Sequence, residues 1–408
     1  MKILIIGLGY VGLPLALAFA AAGHDVWGLD TDKRRVKALE QNDAHTFNLA
    51  SSIDACCDAE AYFICVPTPN TPDGEPDMTA LLASARDIAP MLKLGNLVAC
   101  ESTTYPGAVE SVLIPELEAR SGLRAGHDFL VAYSPERIDP GPAGHSLRGL
   151  SKLVAGHTPA AFEAARRLYE DVCPVVPVAN IRTAEAAKQI ENIFRLVNIS
   201  LVNELKPALE ALDVDVWEAL EAAATKPFGF MAFEPGPGVG GHCIAVDPAQ
   251  LIWAAEKRGA DTPLVRLALA LATDEPRRVV DRLEAALVDQ GDGVGGKAIL
   301  VVGAAYKRDV ADTRQSPAIA IMSELVRRNA VVSYTDPLAP VIRLSSGAIL
   351  EATPVAEVQA DQYVGVVIAT DHSIIDWPAL LNGAALVIDT RNVTRGLVQA
   401  VGQRFVRV

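Results

Sequence analysis

MKILIIGLGYVGLPLALAFAAAGHDVWGLD, residues 1 to 30, decides the fold. An apolar run at 3–6 leads into Gly7, Gly9 and Gly12, spaced G-x-G-x-x-G, and a small-residue helix is predicted over 13–23. In a strand–turn–helix of this kind the first glycine makes the tight turn. The second admits a pyrophosphate, and the third lets helix and strand pack closely. The helix N-terminus then offers unpaired N–H groups and the positive end of its dipole to the phosphates. HDVWGLD reads as the next strand and ends at Asp30, 18 residues beyond Gly12. A carboxylate there can bond ribose hydroxyls and repel a 2′-phosphate, so the expected cofactor is NAD rather than NADP. The competing use of Asp30 is as an N-cap for a helix starting near Lys33.

Outward from this unit, AYFICVPTP (61–69), NLVACEST (96–103), DFLVAYSP (128–135), KLVAG (152–156) and PVVPV (174–178) read as strands between helices. That alternation predicts a parallel sheet covered by helices. From residue 183 the pattern turns helical, opening with TAEAAKQIENIFRLVNISLVNEL. After the glycine-rich break DQGDGVGG, AILVVG starts a second α/β unit with later strands VVSYTD, YVGVVIATD and ALVIDT. The expected fold class is α/β, with two Rossmann-like parallel-sheet domains joined by a central helical domain. The expected divisions are 1–182, 183–290 and 291–408, with the ligand cleft between the α/β domains.

With 408 residues, 50% hydrophobic and 21% charged, the chain has material for two or three buried cores. A formal net charge of −14 argues against a nucleic-acid or anionic-membrane partner. Anionic ligands must therefore be held by local basic residues and backbone amides. No apolar run reaches the ~18 residues of a membrane span, and the first strand is no signal peptide. The six cysteines (56, 57, 65, 100, 173, 243) lack disulfide or zinc spacing, which predicts reduced thiols, no metal and a cytoplasmic setting.

PGPGVGGHCIAVDP, 235 to 248, places Cys243 and Asp247 just after Gly238, Gly240 and Gly241. Glycines let a bulky ligand come close, and a thiolate there is a strong nucleophile. Read alone, Cys243 fits a small core side chain equally well. In the long helix, Lys188, Asn192 and Arg195 share one face, opposite Ile190, Ile193, Phe194, Val197 and Leu201. Such a polar face is commonly just solvated.

The assembled stretches GLGYVGLPLA, CVPTP, ESTTYPG, YSPERIDPG, AEAAKQIENIFRLVNISLVNEL, PGPGVGGHCIAVDP, YKRDVADTRQSP and VIDTRN resemble the nucleotide-sugar 6-dehydrogenases over essentially the whole chain. SPER and GGHC are most like the UDP-N-acetylhexosamine branch, and TKPFGFMAFEPGPG resembles enzymes of UDP-N-acetylglucosamine. GVGGHCIAVDP is equally similar to enzymes of UDP-N-acetylmannosamine. The resemblance implies a four-electron oxidation of the sugar C6 alcohol to a carboxylate, with NAD as cofactor and a UDP-sugar as partner. It implies Cys243 as the nucleophile that forms a thiohemiacetal and thioester, and Lys188 as the cation beside the C6 oxygen. Asn192 would hold that oxygen or a water, Asp247 and Glu136 would orient or deprotonate water, and Thr103 would sit beside the nicotinamide. NAD contacts implied in the same way are Gly7, Gly9, Val11, Gly12, Asp30, Arg35, Thr68, Thr103 and Arg314. Substrate contacts are Glu136, Arg137, Lys188, Asn192, Phe228, Gly240, Tyr306, Lys307 and Arg391. The family further implies a homodimer or higher homo-oligomer built on the central helices.

Four departures stand out. Only about 30 residues separate Asp30 from the strand that ends in CVPTP, where the family carries a longer insertion. Pro142 replaces a small polar residue, Ala155 replaces a glycine, and DPAQL replaces an aromatic pair. Two other classes fit parts of the chain. A two-electron hydroxyacid-type dehydrogenase needs neither Cys243 nor the second α/β unit. A non-enzymatic NAD sensor would keep Asp30 and tolerate loss of Lys188, Asn192 and Cys243. NADH released per sugar separates the three: two, one or none.

Overall fold

The computed structural model describes residues 1–41, 46–56, 58–137, 147–288, 293–397 and 402–408, without the side chains of Arg148, His242 and Cys243. Pro142 lies outside the described residues. The chain forms two compact units, Met1–Glu191 with Ala249–Asp261, and Asn192–Pro248 with Thr262–Val408.

In the first unit, β1 (Lys2–Ile6), α1 (Gly12–Ala21), β2 (Asp25–Leu29), α2 (Lys33–Glu40), β3 (Asn48–Ala50) and β4 (Ala61–Ile64) follow in turn. Then come α3 (Thr79–Ile88), β5 (Leu97–Cys100), α4 (Ile114–Ser121), β6 (Leu130–Tyr133), β7 (Lys152–Gly156), α5 (Pro159–Glu170) and β8 (Val175–Pro177). The sheet order is β3-β2-β1-β4-β5-β6-β7-β8. Its first six strands have the 3-2-1-4-5-6 order of dinucleotide-binding sheets, whose order reverses beside β1. The apolar runs follow from burial on both faces. Leu4 and Ile6 enter one core cluster while Ile3 and Ile5 enter the other.

One expectation needs correcting. KLVAG pairs antiparallel with β6, matching Ala132 to Gly156 and Tyr133 to Ala155, so the sheet is not wholly parallel. Parallel neighbours need a crossover helix, and the described residues between β6 and β7 supply only a 3₁₀ turn, Leu147–Gly149. The short β3 was also not anticipated.

α6 (Ile181–Glu210) runs out of the first unit into the second. At its start, the Asn180 side chain accepts from the Thr183 N–H at 2.9 Å. The second unit adds α7 (Val216–Ala224) and the first residues of α8 (His242–Glu256), the helix that runs back into the first unit. Next come α9 (Pro263–Val288), β9 (Ala298–Val302), α10 (Pro317–Arg327) and β10 (Val331–Thr335). The hairpin β11 (Val341–Arg343) and β12 (Ile349–Glu351) precedes β13 (Gly365–Ile368), α11 (Trp377–Leu380), β14 (Leu386–Asp389) and β15 (Arg404–Arg407). Its parallel sheet has the order β10-β9-β13-β14-β15, the other doubly wound pattern.

The two sheets repeat one device. Gly7 N–H bonds Leu29 O at 2.8 Å, and Gly303 N–H bonds Thr335 O at 2.8 Å. Both glycines take positive φ, +90° and +86°. Asp30 accepts from the Leu8 N–H, and Asp336 accepts from the N–H groups of Ala304 and Ala305. Asp336 is buried and also meets the His372 ring at 3.1 Å. Burial alone would raise its pKa. The His372 ring and the backbone N–H groups outweigh that and hold the carboxyl at about 2. Every acceptor site facing the turn is thus taken in the second unit, whereas Asp30 keeps some exposure.

Candidate active site

In the first unit the glycine turn is built for close approach. A Cβ on Gly12 would lie 1.9 Å from the Gly7 carbonyl oxygen, so packing itself demands that glycine. A Cβ on Gly9 would meet only Arg35 Nη1, at 3.6 Å. The protein leaves room at Gly9, and Val11, the N-cap of α1, gives the helix no side-chain cap. A free helix start beside that room fits a pyrophosphate. Asp30 Oδ1 accepts from the Asp32 N–H at 2.9 Å and Oδ2 from the Leu8 N–H at 3.0 Å. The N-cap of α2 is Asp32, not Asp30. Arg35 is exposed and donates to the Leu8 carbonyl at 3.0 Å, locking the same turn.

Thr68 is buried and its hydroxyl donates to the Thr103 carbonyl at 2.5 Å. Gln250 Nε2 donates to the Thr68 carbonyl at 2.8 Å, and Gln189 Nε2 to the Thr104 carbonyl at 3.3 Å. Lys188, the residue before Gln189, is 8% exposed. Its polar face is therefore packed rather than solvated. Arg195, two turns on, is exposed and does not share that burial.

Glu136 belongs to a buried ionic cluster. Lys152 Nζ lies 2.6 Å from Glu101 Oε2 and 3.1 Å from Glu136 Oε2, and the Tyr169 hydroxyl donates to Glu101. Burial raises the Glu101 pKa to about 7 against the pull of Lys152. Burial would lower the Lys152 pKa, but its two carboxylates outweigh that and push it up. Arg137, expected on substrate, pairs with Glu191 at 2.8 Å and donates to the Ser151 carbonyl. Sequence reading missed Lys152 and Glu101, although a lysine inside an apolar strand was a visible signal.

In the second unit Asn192 Nδ2 donates to Asp247 Oδ2 at 2.5 Å, and both are buried. Asp247 stands one turn into α8, whose second residue is Cys243, the side chain of which lies outside the described residues. Gly240 packs under Tyr306 and Pro317: a Cβ would meet them at 2.7 and 2.8 Å. Gly241 N–H bonds the Arg314 carbonyl at 3.1 Å. The Arg314 guanidinium is exposed and grips Asp312. Tyr306 and Lys307 follow β9 and are half-buried, and Arg391 follows β14, at the carboxyl edge where doubly wound sheets bind ligands. Arg391 Nε donates to the Ala369 carbonyl at 3.0 Å, and burial lowers its pKa. A cavity of about 280 Å³ reaches it, walled by Trp217, Phe233, Glu234, Arg308 and Asp371 among others. Phe228 is exposed, with Lys226 Nζ 5.0 Å over its ring.

Three family models match in chain order. They are the UDP-glucose/GDP-mannose dehydrogenase NAD-binding domain over residues 1–173, its central domain over 182–273 and its UDP-binding domain over 300–396. The chain belongs to the UDP-glucose/GDP-mannose dehydrogenase family. Like the family it is an NAD-dependent nucleotide-sugar dehydrogenase, an oxidoreductase. It is 34% identical over 389 residues to a UDP-N-acetyl-D-glucosamine 6-dehydrogenase of Salmonella typhi, covering 91% of this chain and 90% of the relative. It is 36% identical over 350 residues to a UDP-N-acetyl-D-mannosamine dehydrogenase of Escherichia coli, covering 79% and 81%. Among solved structures, a UDP-D-ManNAc dehydrogenase from Pyrococcus horikoshii superposes with a TM-score of 0.88 at 31% identity, covering 99% of this chain and 98% of that one. No helix among the described residues is long and apolar enough to cross a membrane.

Proposed function

We propose that this dehydrogenase oxidises the C6 alcohol of a UDP-N-acetylhexosamine, UDP-N-acetylglucosamine first, to the uronic acid in two steps. The observation that carries this is the burial of Lys188 and of the Asn192–Asp247 pair, polar groups withheld from water on the helices that carry the motif residues. A two-electron dehydrogenase has use for the lysine but not for the Cys243 motif. The similarity of TKPFGFMAFEPGPG and the Salmonella relative favour the glucosamine epimer. The Pyrococcus structure supports UDP-N-acetylmannosamine as the second reading.

NAD, when bound, takes up one hydride at each oxidation. Gly7, Gly9, Val11, Gly12, Asp30, Arg35, Thr68 and Thr103 are the proposed holders in the first unit, and Arg314 the one in the second. Lys188 stabilises negative charge on the C6 oxygen as the alcohol loses its proton. The Cys243 thiolate adds to the C6 aldehyde, and the thiohemiacetal so formed carries the second hydride to be lost. Water then cleaves the thioester to carboxylate and thiol, with Asp247, oriented by Asn192, and Glu136 taking its proton. Lys307 and Arg391 hold the diphosphate, with Phe228, Gly240, Tyr306 and Arg137 lining the substrate. The divisions 1–182, 183–290 and 291–408 carry NAD, the central helices and the nucleotide sugar. A panel of UDP-sugars followed by NADH absorbance tests the reading. We expect two NADH per uronate with a UDP-N-acetylhexosamine and loss of acid formation in Cys243→Ala. Parent-like acid production by that variant would overturn the covalent mechanism, and turnover of UDP-glucose alone would correct the sugar.

A further inference from the structure

Two hydrogen-bond donors in the second unit, on Trp217 and Asn203, are buried without acceptors among the described residues, and the half-buried Arg391 lines the same cavity as Trp217. Trp217 is buried and its Nε1–H has no partner among the described residues. Asn203 is buried too: its Oδ1 accepts from the Gly236 N–H at 2.9 Å, while its Nδ2 has no partner among the described residues. The Arg391 guanidinium forms no ion pair among the described residues, and its Nη1 lies 2.9 Å from where a Gly236 Cβ would stand. Buried donors are almost always satisfied, so a cluster that is not marks the place of a missing acceptor. Trp217 and Arg391 line the same cavity.

We propose that the Trp217 indole N–H is a nucleobase contact, donating to a carbonyl oxygen of the uracil ring; this rests on a UDP-sugar being the substrate. Arg308 and Arg391, on the same wall as Trp217, are the cations for a diphosphate, with Arg308 paired to Asp371 and Glu221 paired to Arg395. The indole N–H, by contrast, is an uncharged donor that suits a neutral carbonyl. Uracil's edge alternates acceptor, donor, acceptor, and Glu234 and Asn392 offer acceptors for its imide N–H. Leu220, Ala224 and Phe233 supply apolar surface for the ring. Position along α6 excludes the sugar's acetamide. Asn192, bonded to Asp247, and Asn203, bonded to Gly236, are eleven residues apart, about 16 Å along the axis. That separation is on the order of an extended UDP-sugar, so Trp217 stands at the end far from the C6 chemistry.

The test is calorimetric titration of the full-length enzyme with UDP and with UDP-N-acetylglucosamine, without NAD, for the parent and Trp217→Phe. The variant keeps an aromatic ring and loses only the N–H and ring volume. We expect both ligands to bind on the order of threefold to tenfold more weakly, by the same factor. Unchanged UDP binding overturns the proposal, as does weakening confined to the acetylated ligand. Indole-¹⁵N labelling gives a second reading that needs no substitution to fold. Of four tryptophan N–H signals, the one from Trp217 moves downfield with UDP, and its failure to move also overturns the proposal. If UDP moves that signal but no acetylated sugar is turned over, the sugar assignment fails and the Trp217 contact stands.

Discussion

Lys188 and Lys152 are both buried lysines, and their surroundings separate their roles. Lys152 sits between two carboxylates in a closed cluster, whereas Lys188 forms no ion pair among the described residues. A buried cation held apart from carboxylates is suited to charge that appears during reaction. Lys188→Ala should therefore lower kcat about 10²- to 10³-fold, with KM little changed and the melting temperature near the parent's. Lys152→Met does the reverse to the fold. It leaves Glu101 and Glu136 buried without their cation, an effect of about 3–5 kcal/mol when one partner of a buried pair is removed. Denaturant unfolding beside steady-state kinetics reads both. A Lys188→Ala enzyme as active as the parent removes the lysine from the mechanism.

At the scale of the element, α6 buries a row of polar side chains and leaves several large apolar ones bare. Glu185, Gln189, Asn192, Ser200 and Asn203 face inward, while Ile190 is 65% exposed and Phe194, Leu201 and Leu205 are more than 40% exposed. A row of bare apolar side chains along a helix is an interaction surface, and a second copy of the chain is the simplest cover. Phe194→Glu with Leu201→Glu should shift the parent from dimer to monomer in light scattering at micromolar concentration. A parent that is already monomeric refutes the assembly. The period of this helix was legible in the spacing of Lys188 and Asn192, but which face turned inward was not, because burial depends on what covers the chain. The glycine turn and Asp30 were legible because their constraints are local: a Cβ at Gly12 strikes Gly7, five residues away. The direction of β7 and the Lys152 cluster were not. KLVAG reads alike in either direction, and Lys152 meets its partners only after strands 51 and 16 residues apart are laid side by side.

The whole molecule carries a formal net charge of −14, yet a nucleotide sugar with a charged diphosphate must reach it. On the proposed function, short-range attraction would come from Arg391 and Lys307, but at a distance the incoming dianion meets the summed field of the protein, which repels it. The reach of that field is set by salt, with a screening length near ~30 Å at 0.01 M and ~8 Å at 0.15 M. Raising ionic strength across that range should remove the long-range repulsion while leaving close contacts in the buried site nearly intact. The association rate of UDP-N-acetylglucosamine, followed by stopped-flow tryptophan fluorescence, should therefore rise with salt, and the dissociation rate should change little. This is the opposite of a basic funnel that steers its ligand, for which added salt slows capture. A falling association rate would mean that cationic groups at the mouth of the site outweigh the global charge. Glu234→Gln and Asp371→Asn, which strip local negative charge from the cavity wall, sharpen the reading. If the whole-molecule field governs capture, removing one charge of that excess changes the salt slope only slightly. A large change in slope would locate the control at the wall instead.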